Sequence, residues 1–307
     1  NNADNKGFED SGTAVLWTVT GGGIIGCKLL GEIVTYINNH AGIRLENCDS
    51  IIAVENEING YNEQGNGSGV NQAGIQTYEV ANSIFQHNDL DHNADGFHFK
   101  GREHTNNIVR LNKITNSRIS AFRIGGFVED GLKRNLITEN LCIDNASEVE
   151  LAFSATVAGG VNGTDIVRNT FYSPSALPSS FGLNITDGYE AHDNTFEYNI
   201  LYRSGLAYYG TESSSIGLSA QFRSYVETNN NCVYGSTYFA DGVSASDFNQ
   251  LSLAQWKSQS SGDHQTIEAD PIFNDPSSGD FTVQALSPAQ GMGCYSENNA
   301  TPGVKRV

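Results

Sequence analysis

The segments Ala41-Gly-Ile-Arg-Leu-Glu46, Ala73-Gly-Ile-Gln-Thr-Tyr78, Asp95-Gly-Phe-His-Phe-Lys100, Ser120-Ala-Phe-Arg-Ile-Gly125 and Ser147-Glu-Val-Glu-Leu-Ala152 align as one stack, with a weaker copy at Phe181-Gly-Leu-Asn-Ile-Thr186. Each alternates apolar and polar residues, the period of a strand with one buried face. A second strand follows each first one: Ile51–Asn56, Ile84–Asn88, Ile108–Asn112, Leu136–Asn140, Ile166–Asn169 and Glu190–Asn194. Every copy closes on Asn, with Ile, Leu or Phe soon after. An Asn recurring at one turn of each coil can bond the Asn above and below it and tolerates the left-handed backbone of a tight bend. First strands begin at 41, 73, 95, 120, 147 and about 181, so a coil takes roughly 22 to 34 residues.

Together these features predict an all-β, right-handed parallel β-helix, a solenoid in which each coil packs only on its neighbours. Leu-x-x-Leu-x-Leu repeats, four-strand blades and Gly-Gly-x-Gly-x-Asp rolls find no match in the chain. A single domain spanning 1–307 is expected, with coils over about 21–235 and a C-terminal cap over about 236–307. In that cap Trp256, Ile272 and Phe273 are expected to plug the open end of the last coil.

The composition fits. Only 17% of residues are charged, Gly numbers 33 and Met 1, which favours turns and strands over helices. The net charge of −18 argues against nucleic acid and anionic membranes as partners. No apolar run is long enough to span a bilayer. A secreted or periplasmic monomer is expected, its leader already removed, since the chain begins at Asn1. The cysteines Cys27, Cys48, Cys142, Cys232 and Cys294 form no zinc motif; Cys232 and Cys294 are candidates to tie the cap to the last coil. Sequons at Asn66, Asn145, Asn162, Asn184 and Asn299 are expected by chance in so Asn-rich a chain.

With the apolar residues of each first strand turned inward, the polar ones form two outward columns. One reads Arg44, Gln76, His98, Arg123, Glu150, Asn184; the other reads Glu46, Tyr78, Lys100, Gly125, Ala152, Thr186. Neighbours in a column are about 4.8 Å apart, which gathers Tyr78, His98, Lys100 and Arg123 on adjacent coils. Adjacent cations repel, so Lys100 beside Arg123 makes sense where an anion binds or where Lys100 serves as a base. The other histidines, His87, His92, His104 and His192, share no column and read as solvated or locally hydrogen-bonded.

A polar first-strand face on such a scaffold resembles the pectate-lyase superfamily of polysaccharide lyases and related glycosidases. The segment Lys100-Gly-Arg…Asn106-Asn-Ile-Val-Arg-Leu-Asn112-Lys-Ile-Thr-Asn116…Phe122-Arg123-Ile-Gly-Gly126 is similar to the core of the chondroitinase B and alginate lyase family. There a Lys and an Arg on successive coils act as base and acid. The resemblance implies β-elimination on an anionic, uronic-acid polymer such as alginate, pectate or a glycosaminoglycan. Lys100 would be the base, Arg123 the carboxylate clamp and Tyr78 or His98 the proton donor or substitute base. Arg44, Glu46, Gln76, Glu150 and Asn184 would line substrate subsites. That family also places acidic calcium ligands before the Lys, where this chain has only Asp95 close by. The string Ala94-Asp-Gly-Phe97…Lys100 resembles another pectate-lyase family but lacks its Asp-Asp-Gly calcium motif. No metal site is therefore carried over, and calcium (Ca2+) stays an open cofactor.

Two other readings compete. A hydrolase needs paired carboxyls about 5 to 10 Å apart, and Glu46 and Glu150 are four coils or ~19 Å apart. A non-catalytic carbohydrate-binding or structural β-helix would favour exposed aromatics, for which Tyr208 and Tyr209 are candidates.

Overall fold

A computed structural model describes residues 12–31, 40–62, 72–101, 103–125, 134–146, 149–152, 161–174, 181–186, 193–203, 205–209, 226–235, 239–244, 247–259 and 264–294. They form a parallel β-helix whose coils carry three strands, one on each face. In the central coil these are Asp95–Lys100, Ile108–Arg110 and Lys113–Thr115. Each pairs in parallel with its counterparts in the coils on both sides. The long strand Ala41–Val54 runs through the first corner and joins the first two faces into one sheet. The third face is a nine-stranded sheet.

The first two faces carry the strands that the sequence repeats predict; the third carries strands that the repeats do not mark. Its strands are short, from Lys28–Leu30 to Ile267–Glu268, and each sends one central side chain inward, such as Ile58, Leu90, Ile114, Phe171 and Leu201. An earlier coil also precedes the first expected copy, with strands Gly12–Trp17, Thr20–Ile25 and Lys28–Leu30.

The Asn ladder lies between the second and third faces. Asn88 Oδ1 accepts from the backbone N–H of Asn56 (3.1 Å) and from its Nδ2 (2.9 Å). Asn112 does the same for Asn88, and Asn140 for Asn112. The chain of bonds continues through Asn169, Asn199 and Asn231 and ends on the Thr266 hydroxyl. Asn199, rather than the expected Asn194, is the ladder member of its coil; Asn194 serves the corner between the first two faces, where it accepts from Thr164. The left-handed residue at each bend is the one before the ladder Asn. Glu55, His87, Leu111, Glu139, Arg168, Tyr198 and Asn230 have φ between 53° and 57°. Holding such non-Gly residues there costs about 1–2 kcal/mol each, and the ladder bonds offset it. Asn145 works likewise at the third corner, accepting from the Ser117 N–H, so its sequon amide is already engaged.

Along the third face the outward residues change character. Lys28 pairs with Glu57 (2.5 Å) and Lys113 with Asp89 (3.6 Å), and from Leu141 onward the positions become Ile143, Tyr172, Ile200, Tyr202 and Cys232. The C-terminal segment lies against that apolar stretch. Phe273, Phe281, Val283, Ala289 and Cys294 join Leu141, Ile200 and Cys232 in a second core. The Cys294 N–H donates to the Thr170 hydroxyl at 3.0 Å and Gly293 N–H to the Tyr198 carbonyl at 2.8 Å.

Of the residues expected to plug the end, only Trp256 enters the main core, on helix Leu253–Gln259 beyond an antiparallel hairpin of Phe239–Ser244 and Asp247–Leu251. Phe273 packs on the flank and Ile272 is 37% exposed. Cys232 and Cys294 are free thiols, so the tail is held by packing and backbone bonds and not by a disulfide. Burial pushes both thiols up to about 12, which keeps them protonated and unreactive.

Asn140→Ala strips the acceptor from two Asn112 N–H groups, and should lower the unfolding free energy by about 2–4 kcal/mol in urea titrations. Lys113→Ala, on the exposed Asp89 pair, should change it by less than ~0.5 kcal/mol; equal effects would deny the ladder its role. A chain ending at Asp270 should keep its far-ultraviolet strand signal yet bind a hydrophobic dye and self-associate. A monomeric truncation without dye binding would show that the tail does not cover an apolar face.

Candidate functional site

The strand Asp95–Lys100 is fixed from beneath. Its inward residues Phe97 and Phe99 stack at 5.8 Å, Phe122 stacks on Phe97 at 5.5 Å, and Phe85 meets both edge-on at 6.0 Å. Gly96 is required by close approach: a Cβ there would stand 2.5 Å from Ile114 Cγ2 and 2.6 Å from the Ala121 carbonyl oxygen. Packing of this density holds the alternating outward residues in register.

That register gives the two outward columns. Arg44, Gln76, His98, Arg123, Glu150 and Asn184 are successive partners, as are Glu46, Tyr78 and Lys100. The first coil adds Val15 beside Arg44 and Trp17 beside Glu46. The side chains of Glu150, Asn184, Tyr208 and Tyr209 lie outside the described residues, as do Ala152, Thr186 and His192.

Outward on this face does not mean solvated. Arg44 is 7%, Gln76 0% and His98 5% exposed, whereas Tyr78, Lys100 and Arg123 are half-buried. Tyr78 lies between two cations: Arg44 Cζ is 4.9 Å and Lys100 Nζ 5.7 Å from its ring centre. Arg44 also pairs with Glu46 at 3.3 Å, so these two form a wall of the site.

Below the cations lies Asp95, fully buried. Its Oδ1 accepts from the Ser120 hydroxyl at 2.7 Å; Oδ2 lies 3.6 Å from His98 Nδ1 and 3.9 Å from Arg123 Nη1. In the sequence Asp95 stands only as the closest acid before Lys100. The available signal was its place in the register column Ala41, Ala73, Asp95, Ser120, where two polar residues follow two alanines. With Nδ1 turned toward Asp95, Nε2 is on the far edge of the His98 ring. Burial foremost, then the charges of Arg123 and Lys100 with a contribution from His104, hold the His98 pKa well below the ordinary value of 6.5. His98 is thus a neutral imidazole near pH 7.

His104 is no solvated histidine. It is fully buried, with Nε2 2.8 Å from the Thr77 hydroxyl and its ring edge-on to Phe99, and belongs to the core beneath the site. His92 bonds Asp91 at 2.7 Å at a corner away from the columns.

The residues do not fit a calcium ion at Asp95. Its carboxyl is enclosed, bound to Ser120 and faced by Arg123 and His98, leaving no ring of oxygen donors. Among the described residues, no group of three or more His, Cys, Asp or Glu could hold a metal. A cleft of about 480 Å³ is lined by Asn47, Asp49, Glu79 and Glu103, residues that closely follow the column positions Glu46, Tyr78 and Lys100. Among the described residues no helix is long and apolar enough to cross a membrane.

No protein-family model matches the chain, and no curated protein matches it. Among solved structures it is similar to one described as the complex structure of XylC with xylose. The identity is 12% and the TM-score 0.32, over 77% of this chain and 39% of that one. The chain thus spans well under half of that protein's length, and the site's chemistry rests on its own residues.

The His98 environment has a measurable sign. Its ring should titrate well below 6.5 by NMR, and Arg123→Ala should raise its midpoint toward 6.5. A group with a depressed folded pKa costs nothing above the unfolded midpoint and destabilises as pH falls below it. His98→Gln should therefore flatten the loss of Tm below about pH 6.5. An unaltered acid limb would show that His98 titrates normally.

Proposed function

We propose that the first face binds an anionic polysaccharide and that the protein is a lyase cleaving a uronic-acid polymer by β-elimination. The observation that carries this reading is the meeting of Lys100, Arg123, neutral His98 and Tyr78 on adjacent coils of a chain whose net charge is −18. Cations so few and so placed favour an anionic ligand over general solubility.

In this reading the Arg123 guanidinium binds the uronate carboxylate and stabilises the negative charge that grows on it as the C5 proton leaves. Asp95 behind it keeps the guanidinium oriented. Lys100, as the free amine, takes the C5 proton. The C4–O bond then breaks, the C4–C5 double bond forms, and the departing oxygen takes a proton from the Tyr78 hydroxyl, while neutral His98 is the alternative base. Arg44 and Glu46 shape the groove beside the reacting sugar. Polymers of this kind place the working protein outside the cytoplasm.

The test is a screen of alginate, pectate, chondroitin and dermatan by ultraviolet absorbance of unsaturated ends, with and without a chelator. Cleavage that yields unsaturated ends, reduced about 100- to 10,000-fold in Lys100→Ala, is expected. Saturated reducing ends would indicate a hydrolase instead. Retained binding with no cleavage would indicate a carbohydrate-binding β-helix, and full activity in Lys100→Ala would remove Lys100 as the base.

A further inference from the structure

The strand Gly12–Trp17 alternates like its successors. Ala14 and Leu16 pack on the main core, and Val15 and Trp17 face outward. Trp17 is 53% exposed. Trp17 projects outward from the sheet face, so its indole is presented on the same surface as Glu46, Tyr78 and Lys100.

Its position in register gives it meaning. Trp17 heads the column that continues through Glu46 and Tyr78 to Lys100. Successive coils are about 4.8 Å apart, so Trp17 stands three rungs, or about 14 Å, from Lys100. One rung is comparable to the length of one pyranose unit. A polysaccharide lying along the stack therefore reaches the Trp17 ring a few sugars away from the bond at Lys100. A broad, half-exposed indole offers the apolar face of a sugar ring a stacking surface at little entropic cost. The adjoining backbone is held in place: Thr18, with φ 54°, donates its N–H to the Glu46 carbonyl at 2.9 Å.

We infer that Trp17 is a distal sugar-stacking subsite, and that the polymer runs parallel to the solenoid axis from Trp17 across Tyr78 to Lys100. This rests on the reading of the first face as a uronate-polymer site and adds the direction of the chain and the length of oligosaccharide it grips.

The molecule carries its own reporter. It has two Trp residues, and Trp256 is 1% exposed. Iodide quenching of tryptophan fluorescence therefore reads Trp17. The probes are oligoguluronates, oligogalacturonates and chondroitin oligosaccharides of two, four and six sugars, with Lys100→Ala run in parallel to prevent cleavage. A hexamer that binds should lower iodide quenching of Trp17 about twofold or more, and a dimer held at Lys100 should leave it unchanged. Trp17→Ala should raise KM for the hexamer about fivefold, the size expected for one aromatic contact, with kcat and dimer kinetics unchanged. Trp17→Phe should restore most of the loss. Cleavage of a hexamer with Trp17 fully open to iodide would overturn this inference and leave the lyase reading intact. Shielding of Trp17 without cleavage would uphold the subsite and remove the lyase step. Neither binding nor cleavage of any probe would remove both.

Discussion

The structure depends on satisfying backbone N–H groups at the corners of its coils. A chain that turns three times per coil leaves donors at each bend that neither face can accept, and a buried donor without an acceptor costs about 1–3 kcal/mol. Side-chain amides solve this. Each ladder Asn presents one oxygen to the coil before it and its NH2 to a carbonyl there, as when Asn112 Nδ2 donates to Phe85 at 3.0 Å. The bend can then be made by Leu111, Tyr198 or Arg168 in the left-handed region without glycine. The ladder also fixes rise and register together, because each Asn reaches only the coil beside it.

Fixed register makes the candidate site a matter of geometry. Coils vary from 24 to 32 residues between successive ladder Asn residues, yet the strands stay aligned because the differences in length fall in the segments between strands. His98 and Arg123 are neighbours across 25 residues of sequence for that reason. The Phe97, Phe99 and Phe122 stack holds the strands from inside, and Asp95 from the strand's own start. The cations therefore rest on a preorganised frame and need little rearrangement to meet a carboxylate.

The first face was legible because a period of two cannot be misread without turning Phe97 and Phe99 to solvent. The ladder was legible from recurring Asn alone. The left-handed residues were not, since Glu55, Leu111 and Tyr198 share no chemistry; their conformation is imposed by the neighbouring Asn. Third-face strands of three residues carry too little alternation to announce themselves. The columns predicted which side chains meet but not how deeply they lie, so Arg44 and Gln76, read as outward subsite residues, are in fact buried. Trp17 escapes a reading of the repeats along with its whole coil, which has Thr20-Gly21-Gly22-Gly23 where later coils carry clearer repeats. The tail's docking place lies where the column Lys28, Glu57, Asp89, Lys113 changes to Leu141, Thr170, Ile200 and Cys232, uncharged throughout, a pattern visible only once those residues are known to share one column.

That change of character also divides the solenoid mechanically. A stack of nearest-neighbour coils can open one coil at a time from either end. The C-terminal segment forbids this over its own span, because Cys294 closes onto Thr170 across 124 residues and its apolar side chains bridge several third-face strands at once. Opening any one of those coils breaks contacts that belong to the others, so they part together or not at all. Among the described residues, the coils bearing Lys28, Glu57 and Asp89 carry exposed salt bridges on that face and no such clasp. The described coils thus resemble a zipper riveted over one part: coils on the Trp17 side can open singly, and opening is stopped where the charges give way to Leu141.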